Sequence, residues 1–261
     1  MNPLGKKYLR KEALPTIFCP GCGHGTVLNS TLRMLDKVGL ENFLFVSGIG
    51  CSSWLPVFIK ADVLHTLHGR AVAVATGLKL VQPDKKVMVF NGDGDNMAIG
   101  GNHFIHAARR NIDITVVMLN NYIYGMTGGQ ASPGTPLNSK TKTSPYGSHE
   151  KPFDAVKLAI GAGATFVARE TSASPIKITR TLEKAVNHRG FSFVEIMSQC
   201  PTQAGRNIYG KSAPSDIFRI LRDSAVSKKD TELLQGQFRT GIFHLDEETP
   251  VYSQKIEVAA S

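Results

Sequence analysis

No stretch of this 261-residue chain holds the roughly 20 consecutive apolar residues that a membrane helix needs, which excludes a helical membrane span. The opening segment MNPLGKKYLRKEALP has basic residues but no apolar stretch behind them. That argues against a secretory leader and for a cytoplasmic protein. Tryptophan occurs once, aromatic residues make up 8%, and no basic run is interleaved with them. The net charge of +9 alone would allow nucleic acid, but with no nucleic-acid motif either that partner is disfavoured. The charge fits a solvated basic surface, a docking face for an acidic partner, or a pocket for an anionic substrate. No internal repeat, low-complexity tract or helix-opening G-x-G-x-x-G is present, so a dinucleotide site is disfavoured. Cysteine is scarce: Cys19, Cys22, Cys51 and Cys200. Disulfides are rare in the cytosol, and two of these four form a C-x-x-C, which suggests a four-thiolate metal site.

What is present is ordinary for a globular protein: 42% hydrophobic and 20% charged residues, in a length suited to one α/β domain or a domain plus a tail. Residues 25–38 show helical periodicity on Val27, Leu28, Leu32, Leu35 and Val38, with Gly39 as the stop. NFLFVSG reads as a buried strand running into the glycine-rich loop GIGCSS. Helices are expected at roughly 69–80, 98–110, 153–162 and 175–188. The strands KKVMVFNG, IDITVVMLNN, ATFVAR and FSFVEIMSQC alternate with them. Unbroken Val/Ile-rich runs between helices predict a parallel sheet covered on both faces. Residues 122–152 turn to Gly, Ser, Thr and Pro, too long for a casual connection. After Cys200 the chain reads as polar and irregular apart from a short helix near 215–222.

Two constellations carry chemistry. The first is Gly92-Asp93-Gly94 followed by Asn120-Asn121. Asp93 and Asn121 end neighbouring parallel strands and so emerge at the carboxyl edge of the sheet, where open α/β folds bind ligands. Their oxygens suit a hard cation such as Mg2+, and the glycines let backbone N–H groups approach a diphosphate. A GDG alone is often just a turn; the paired Asn-Asn raises it above that. The second is the cysteine set, CPGCGHG, GIGCSSW and SQCPT. Four thiolates fit a [4Fe–4S] cluster or a structural zinc. Cys51 shares its loop with the expected cofactor edge, a placement useful to an electron acceptor and of no use to a structural zinc.

GDG, then about thirty residues, then NN resembles the thiamine-diphosphate signature. By that resemblance Asp93, the Asn121 side chain and the Ile123 carbonyl hold Mg2+, and Gly94, Asp95, Gly125 and Met126 line the diphosphate. CPGCGH, GIGCSS, LHGRA, GDGD and YGMTGGQASPGTP, in this order over roughly residues 15–205, resemble the β subunit of 2-oxoacid:ferredoxin oxidoreductases, most closely the 2-oxoglutarate (Kor-type) branch. The resemblance implies that Cys19, Cys22, Cys51 and Cys200 ligate one [4Fe–4S] cluster and that Ile49, Gly50, Cys51, Ser52 and His68 meet thiamine diphosphate. Some relatives carry a lysine at the position of Gly128, and this chain does not. The implied fold is α/β, a thiamine-diphosphate-binding fold of the diphosphate type with a mostly parallel sheet. It spans residues 1–200, with a C-terminal arm over 201–261 at a subunit interface. The implied activity is CoA-dependent oxidative decarboxylation of 2-oxoglutarate to succinyl-CoA and CO2, with electrons passed to ferredoxin. Pyruvate, branched-chain 2-oxoacids, or a non-redox decarboxylase with structural zinc are the alternatives. No glutamate here can be assigned to activating the aminopyrimidine ring, so an α subunit carrying the pyrimidine module is an expected partner, with small γ or δ subunits as further ones.

Single residues around these motifs divide less cleanly. His24 could face the cofactor or cap a helix. Arg70 could pair with a carboxylate. His103 and His106 have the spacing of a metal pair on a helix but fit surface or packing roles better, since no carboxylate partner is evident. Trp54 reads as packing.

Overall fold

The computed structural model describes residues 3–230 and 232–253. Helix α1 (Pro3–Tyr8) leads into α2 (Gly23–Val38), which starts in the CPGC turn and ends at Gly39 (φ +82°), a conformation that glycine adopts without strain. Strand β1 (Phe43–Ser47) follows. Two 3-10 turns, Cys51–Trp54 and Pro56–Phe58, then carry the chain to β2 (Asp62–His65). Next come α3 (Ala71–Val81), β3 (Lys86–Gly92), a π-helical turn (Asp95–Ile99), α4 (Gly101–Arg110) and β4 (Thr115–Asn120). A small hairpin, β5 (Ile123–Tyr124) with β6 (Gln130–Ala131), opens the long irregular segment. The pattern resumes with α5 (Ala155–Gly161), β7 (Phe166–Thr171), α6 (Pro175–Asn187) and β8 (Ser192–Met197). A second π-helical turn (Pro201–Gly205), α7 (Pro214–Ser224), β9 (Ala225–Ser227) and β10 (Phe238–Leu245) complete the described chain.

The main sheet has the order β2-β1-β3-β4-β8-β7-β10-β9. Every neighbouring pair is parallel except β7 with β10. Its central strands are buried on both faces, as parallel strands between helices must be: all six residues of β4 and of β8 are buried. Two apolar cores flank it. One packs α2 and α6 through Val27, Leu35, Ile178 and Leu182 onto Phe45 and Phe90. The other packs α3, α4 and α5 through Val72, Phe104 and Val156 onto Val89 and Phe193. The expected α/β class, parallel sheet and two helical layers are present.

Two features differ from the sequence reading. Strand β2 was not expected, because DVLH is short, half-exposed and at the sheet edge, so no apolar run marks it. The segment after Cys200 is more than an irregular arm. β10 joins the sheet antiparallel to β7, with a register shift between Ile242 and His244. Gly241, Arg239 and His244 break its apolar pattern, which hid it. The final part of the expected arm, 254–261, lies outside the described residues.

Phe104 sits fully buried, edge-on to Phe191 and Phe193 at ring-centroid distances of 5.6 and 5.0 Å. Phe104→Ala is expected to destabilise the chain by roughly 3–5 kcal/mol, the usual cost of such a cavity. Urea denaturation against the parent protein measures it; a loss under about 1 kcal/mol would mean the helical layer repacks freely.

Candidate functional site

Parallel strands deliver their following loops to one edge, and here that edge gathers the motifs. Ser47 of β1, Gly92 of β3, Asn120 of β4 and Met197 of β8 end side by side. The loops beyond them carry Cys51, Asp93, Asn121 and Cys200. Between them lies a cleft of about 490 Å3, lined among others by Ile49, Gly50, Cys51, Ser52, His68, Asp93, Gly94, Asp95, Asn121, Ile123, Gly125 and Met126.

Asp93 is buried and accepts a short hydrogen bond from the Ser132 hydroxyl. Burial pushes its carboxyl up to about 7. Ser132 and the backbone N–H groups of Asp93 and Asn121 pull against that, and the Glu195 carboxylate adds repulsion. A divalent cation is the partner that would relieve such a carboxylate. The Asn121 amide oxygen accepts from the Ile123 N–H at 3.2 Å, which holds Asn121 and Ile123 in one turn. Tyr122 between them takes φ +68°, a left-handed conformation uncommon for a tyrosine. The Asn120 oxygen accepting from the Tyr122 N–H and the Thr135 hydroxyl donating to the Tyr122 carbonyl hold it there. The two asparagines therefore divide the work: Asn121 lines the cleft, while Asn120 also donates to buried Glu195 at 2.7 Å. Arg169 completes that network, bonding Glu195 and Asp154.

Asp95 lines the cleft as expected, but its carboxylate is already used. It accepts from the N–H groups of Gly69 and Ile49, binding together the loops after β1, β2 and β3. A side chain on Gly48 would collide with it, since an added Cβ would lie 2.0 Å from Asp95 Oδ2. His68 is held near the same carboxylate (Nδ1 to Oδ1 3.8 Å), and Nδ1 is buried without a hydrogen-bond partner among the described residues. The His68 ring lines the cleft, and a buried polar atom without a hydrogen bond is unusual enough to need a partner.

A second cavity of about 920 Å3 lies behind the first and is lined by all four cysteines. The two cavities share Cys51, Asn121, Gly125, Met126 and His24. A Cβ placed on Gly125 would lie 3.6 Å from Cys200 Sγ and 3.9 Å from Cys51 Sγ. Thr202 Oγ1 stands 3.7 Å from both Cys19 Sγ and Cys200 Sγ. The distant loops are fastened: Gly23 N–H donates to the Gln199 carbonyl, and the Gln199 amide donates to the Gly21 carbonyl, both at 3.0 Å. Burial pushes the Cys22 thiol up to about 12 and the Cys51 thiol up to about 11, with the neighbouring cysteines adding repulsion. Thiolates here need a positive metal centre.

His24, undecided from sequence, opens α2 fully buried between the two cavities, 3.2 Å from Cys22 Sγ and 3.3 Å from Ser198 Oγ. Burial lowers it to about 4, so it is neutral at pH 7. Arg70 pairs not with a carboxylate but with His103, at 2.9 Å, and Arg109 donates to His106. Trp54 leans on His65 and lines the sulfur cavity. Sequence reasoning missed Tyr124, Ser132 and Thr202. Tyr124 packs its ring over His68 and donates to the Gly94 carbonyl at 3.3 Å. The signal for Tyr124 and Ser132 was the unusual 122–152 segment, read as functional or partner-held. It folds back on its own chain around Asp93.

Residues 48–196 match the model of the thiamine pyrophosphate enzyme C-terminal TPP-binding domain. The 2-oxoglutarate synthase subunit KorB of Methanocaldococcus jannaschii is 50% identical over 258 residues, covering 96% of this chain and 94% of that protein. The β subunit of 2-oxoacid:ferredoxin oxidoreductase from Saccharolobus solfataricus is 36% identical, covering 92% and 85%. Among solved structures, the 2-oxoglutarate:ferredoxin oxidoreductase of Magnetococcus marinus, with 2-oxoglutarate, coenzyme A and succinyl-CoA bound, superposes with a TM-score of 0.86 at 36% identity, covering 98% of this chain and 89% of that one.

A Cβ on Gly94 would lie 2.2 Å from the Tyr124 ring. Gly94→Ala must therefore move the ring that backs His68. Titration of the full-length chain with thiamine diphosphate by calorimetry should show affinity falling on the order of tenfold; parental affinity would mean that this close approach does not shape the cleft.

Proposed function

This chain belongs to the β-subunit family of 2-oxoacid:ferredoxin oxidoreductases and carries its thiamine pyrophosphate-binding domain, and from that premise we propose that it catalyses, with a partner subunit, the CoA-dependent oxidative decarboxylation of 2-oxoglutarate. The observation that carries the proposal is the shared wall. Cys51 and Gly125 border both the cleft with Asp93 and Asn121 and the cavity with the four sulfurs. Thiamine diphosphate supplies an electron sink for decarboxylation, and an iron–sulfur cluster supplies a one-electron acceptor beside it.

The chain's own residues have separable tasks in this reading. Asp93, the Asn121 side chain and the Ile123 carbonyl hold Mg2+. Gly94 and Gly125 leave room for the cofactor, and His68 offers its unpartnered Nδ1 to an anionic oxygen. Asp95 acts indirectly, by holding Ile49 and Gly69 in place. Ile49, Gly50, Ser52 and Met126 shape the remaining walls. His24, neutral and buried, keeps water and charge out of the partition.

Cys19, Cys22, Cys51 and Cys200 hold the [4Fe–4S] cluster. All four cysteines line one cavity, which shares Cys51 and Gly125 with the cleft, and an electron acceptor gains from that placement where a structural zinc does not.

Among the described residues no glutamate lines the cleft, and the two Glu195 oxygens are bonded to Asn120 and Arg169. This supports an α subunit that brings the pyrimidine module and its activating glutamate. Exposed Leu67 and Ile99, next to His68 and Gly69 at the lip of the cleft, offer it an apolar seat. Ferredoxin is the proposed electron acceptor. Among the described residues no helix is long and apolar enough to cross a membrane; a cytoplasmic location is proposed along with the function.

The test is anaerobic co-purification with the partner and reduction of a viologen dye by each 2-oxoacid plus CoA. 2-Oxoglutarate should be the best substrate, and the protein should carry iron rather than zinc. A colourless protein with stoichiometric zinc would overturn the redox reading. In the same complex, Cys51→Ser and Cys200→Ser should lose iron and dye reduction while retaining thiamine diphosphate. Asp93→Asn should do the reverse, keeping iron while cofactor affinity falls by at least the roughly 10–100-fold typical of losing a metal's supporting partner.

A further inference from the structure

The cleft is short of positive charge. Among the described residues neither it nor the sulfur cavity has a Lys or Arg in its lining, and the cleft contains the carboxylates Asp93 and Asp95. Arg70, two residues beyond His68, is engaged with His103. A dianionic 2-oxoacid entering such a site needs a cation for its distal carboxylate, and Mg2+ is taken by the diphosphate in the reading above.

The rim supplies one. Met126 and Thr127 line the cleft, and the chain then turns through Gly128 (φ +111°) and Gly129 (φ +106°). Gly129 N–H bonds the Tyr124 carbonyl at 2.9 Å, closing the turn. The Lys142 N–H bonds the Gly129 carbonyl at 2.9 Å, and the Thr143 hydroxyl accepts from the Ala131 N–H at the same distance. These bonds lay the 142–143 segment against the turn. The Lys142 ammonium lies over it, with Nζ 3.3 Å from where a Cβ on Gly128 would sit. On the far side of the turn, a Cβ on Gly129 would meet Gln203 Oε1 at 2.8 Å and Asn207 Nδ2 at 3.1 Å. Lys142 makes no ion pair or side-chain hydrogen bond among the described residues, so its charge is uncommitted.

We infer that Lys142 is a specificity-determining residue whose ammonium, reaching across the side-chain-free face of Gly128, binds the distal carboxylate of the 2-oxoacid at the rim of the cleft. This deepens the proposed function and rests on it. Gly128 contributes by lacking a side chain, since any Cβ there would crowd the ammonium. A charged hydrogen bond of this kind contributes roughly 1.5–3 kcal/mol, which converts to about 10–100-fold in apparent affinity.

The experiment uses the co-purified complex in four forms: parent, Lys142→Ala, Lys142→Glu and Lys142→Arg. Dye reduction is followed while 2-oxoglutarate, pyruvate and CoA are varied in turn. For Lys142→Ala the KM for 2-oxoglutarate should rise about 10–100-fold, with kcat, the KM for pyruvate and the KM for CoA unchanged. Lys142→Glu should raise the 2-oxoglutarate KM further, and Lys142→Arg should restore most of the loss. A rise confined to CoA would assign the ammonium to the CoA phosphates and overturn the inference. So would an unchanged KM for 2-oxoglutarate, or a fall in kcat on every substrate that arginine does not rescue. A parent complex that uses only monocarboxylate 2-oxoacids would overturn the proposed function itself, and the inference with it.

Discussion

Three loops of this site meet on one carboxylate. Asp95 accepts from the N–H of Ile49 after β1 and of Gly69 after β2, and it opens the turn after β3. Glycine at 48 leaves space for it, and His68 is held against its edge. A carboxylate this buried is unfavourable as an ion unless its oxygens are satisfied by donors, and backbone N–H groups are rigid donors. The bonds therefore work in both directions: they stabilise Asp95, and they fix the backbone that presents Cys51, Ser52 and His68 to the cleft.

The partition between cleft and sulfur cavity follows from the same economy of charge. Asp93, Cys22 and Cys51 are all pushed toward their neutral forms by burial. Each becomes favourable as an anion only with a cation beside it, and the two cations would sit on opposite sides of Gly125 and Cys51. The residues between them carry little charge: Gly125 has no side chain, Asn121 and Met126 are neutral, and His24 is held uncharged by burial. A thin wall of low charge is suited to passing electrons from a cofactor to an acceptor beside it. The described lining of the cleft has no lysine or arginine for the substrate, which gives the rim around Gly128 its importance.

Much of this was legible in the chain. Unbroken apolar runs at β3, β4 and β8, alternating with amphipathic helices, determine a doubly covered parallel sheet, because such strands can only be buried on both faces. From that alone, Asp93 and Asn121 must emerge at a common edge. Glycines at 48 and 94 mark where another group comes close, and the four cysteines mark one shared cavity. The short edge strand β2 and the interrupted β10 were not legible, since neither carries a periodic signal strong enough to stand apart from loop.

Tertiary structure decided what lies far apart in sequence or hinges on side-chain direction. Ser132 reaches Asp93 across 39 residues, and Gln199 reaches Gly21 across 178. Asp95 lines the cleft while its carboxylate binds the loop amides, and Asn120 separates from Asn121 to join Glu195 and Arg169. Lys142 comes to rest over Gly128 because the 122–152 segment folds back on its own hydrogen bonds. Periodicity along a chain reports which face of an element is buried; it carries no information about which distant donor will satisfy a buried acceptor. That choice is made only when the loops pack.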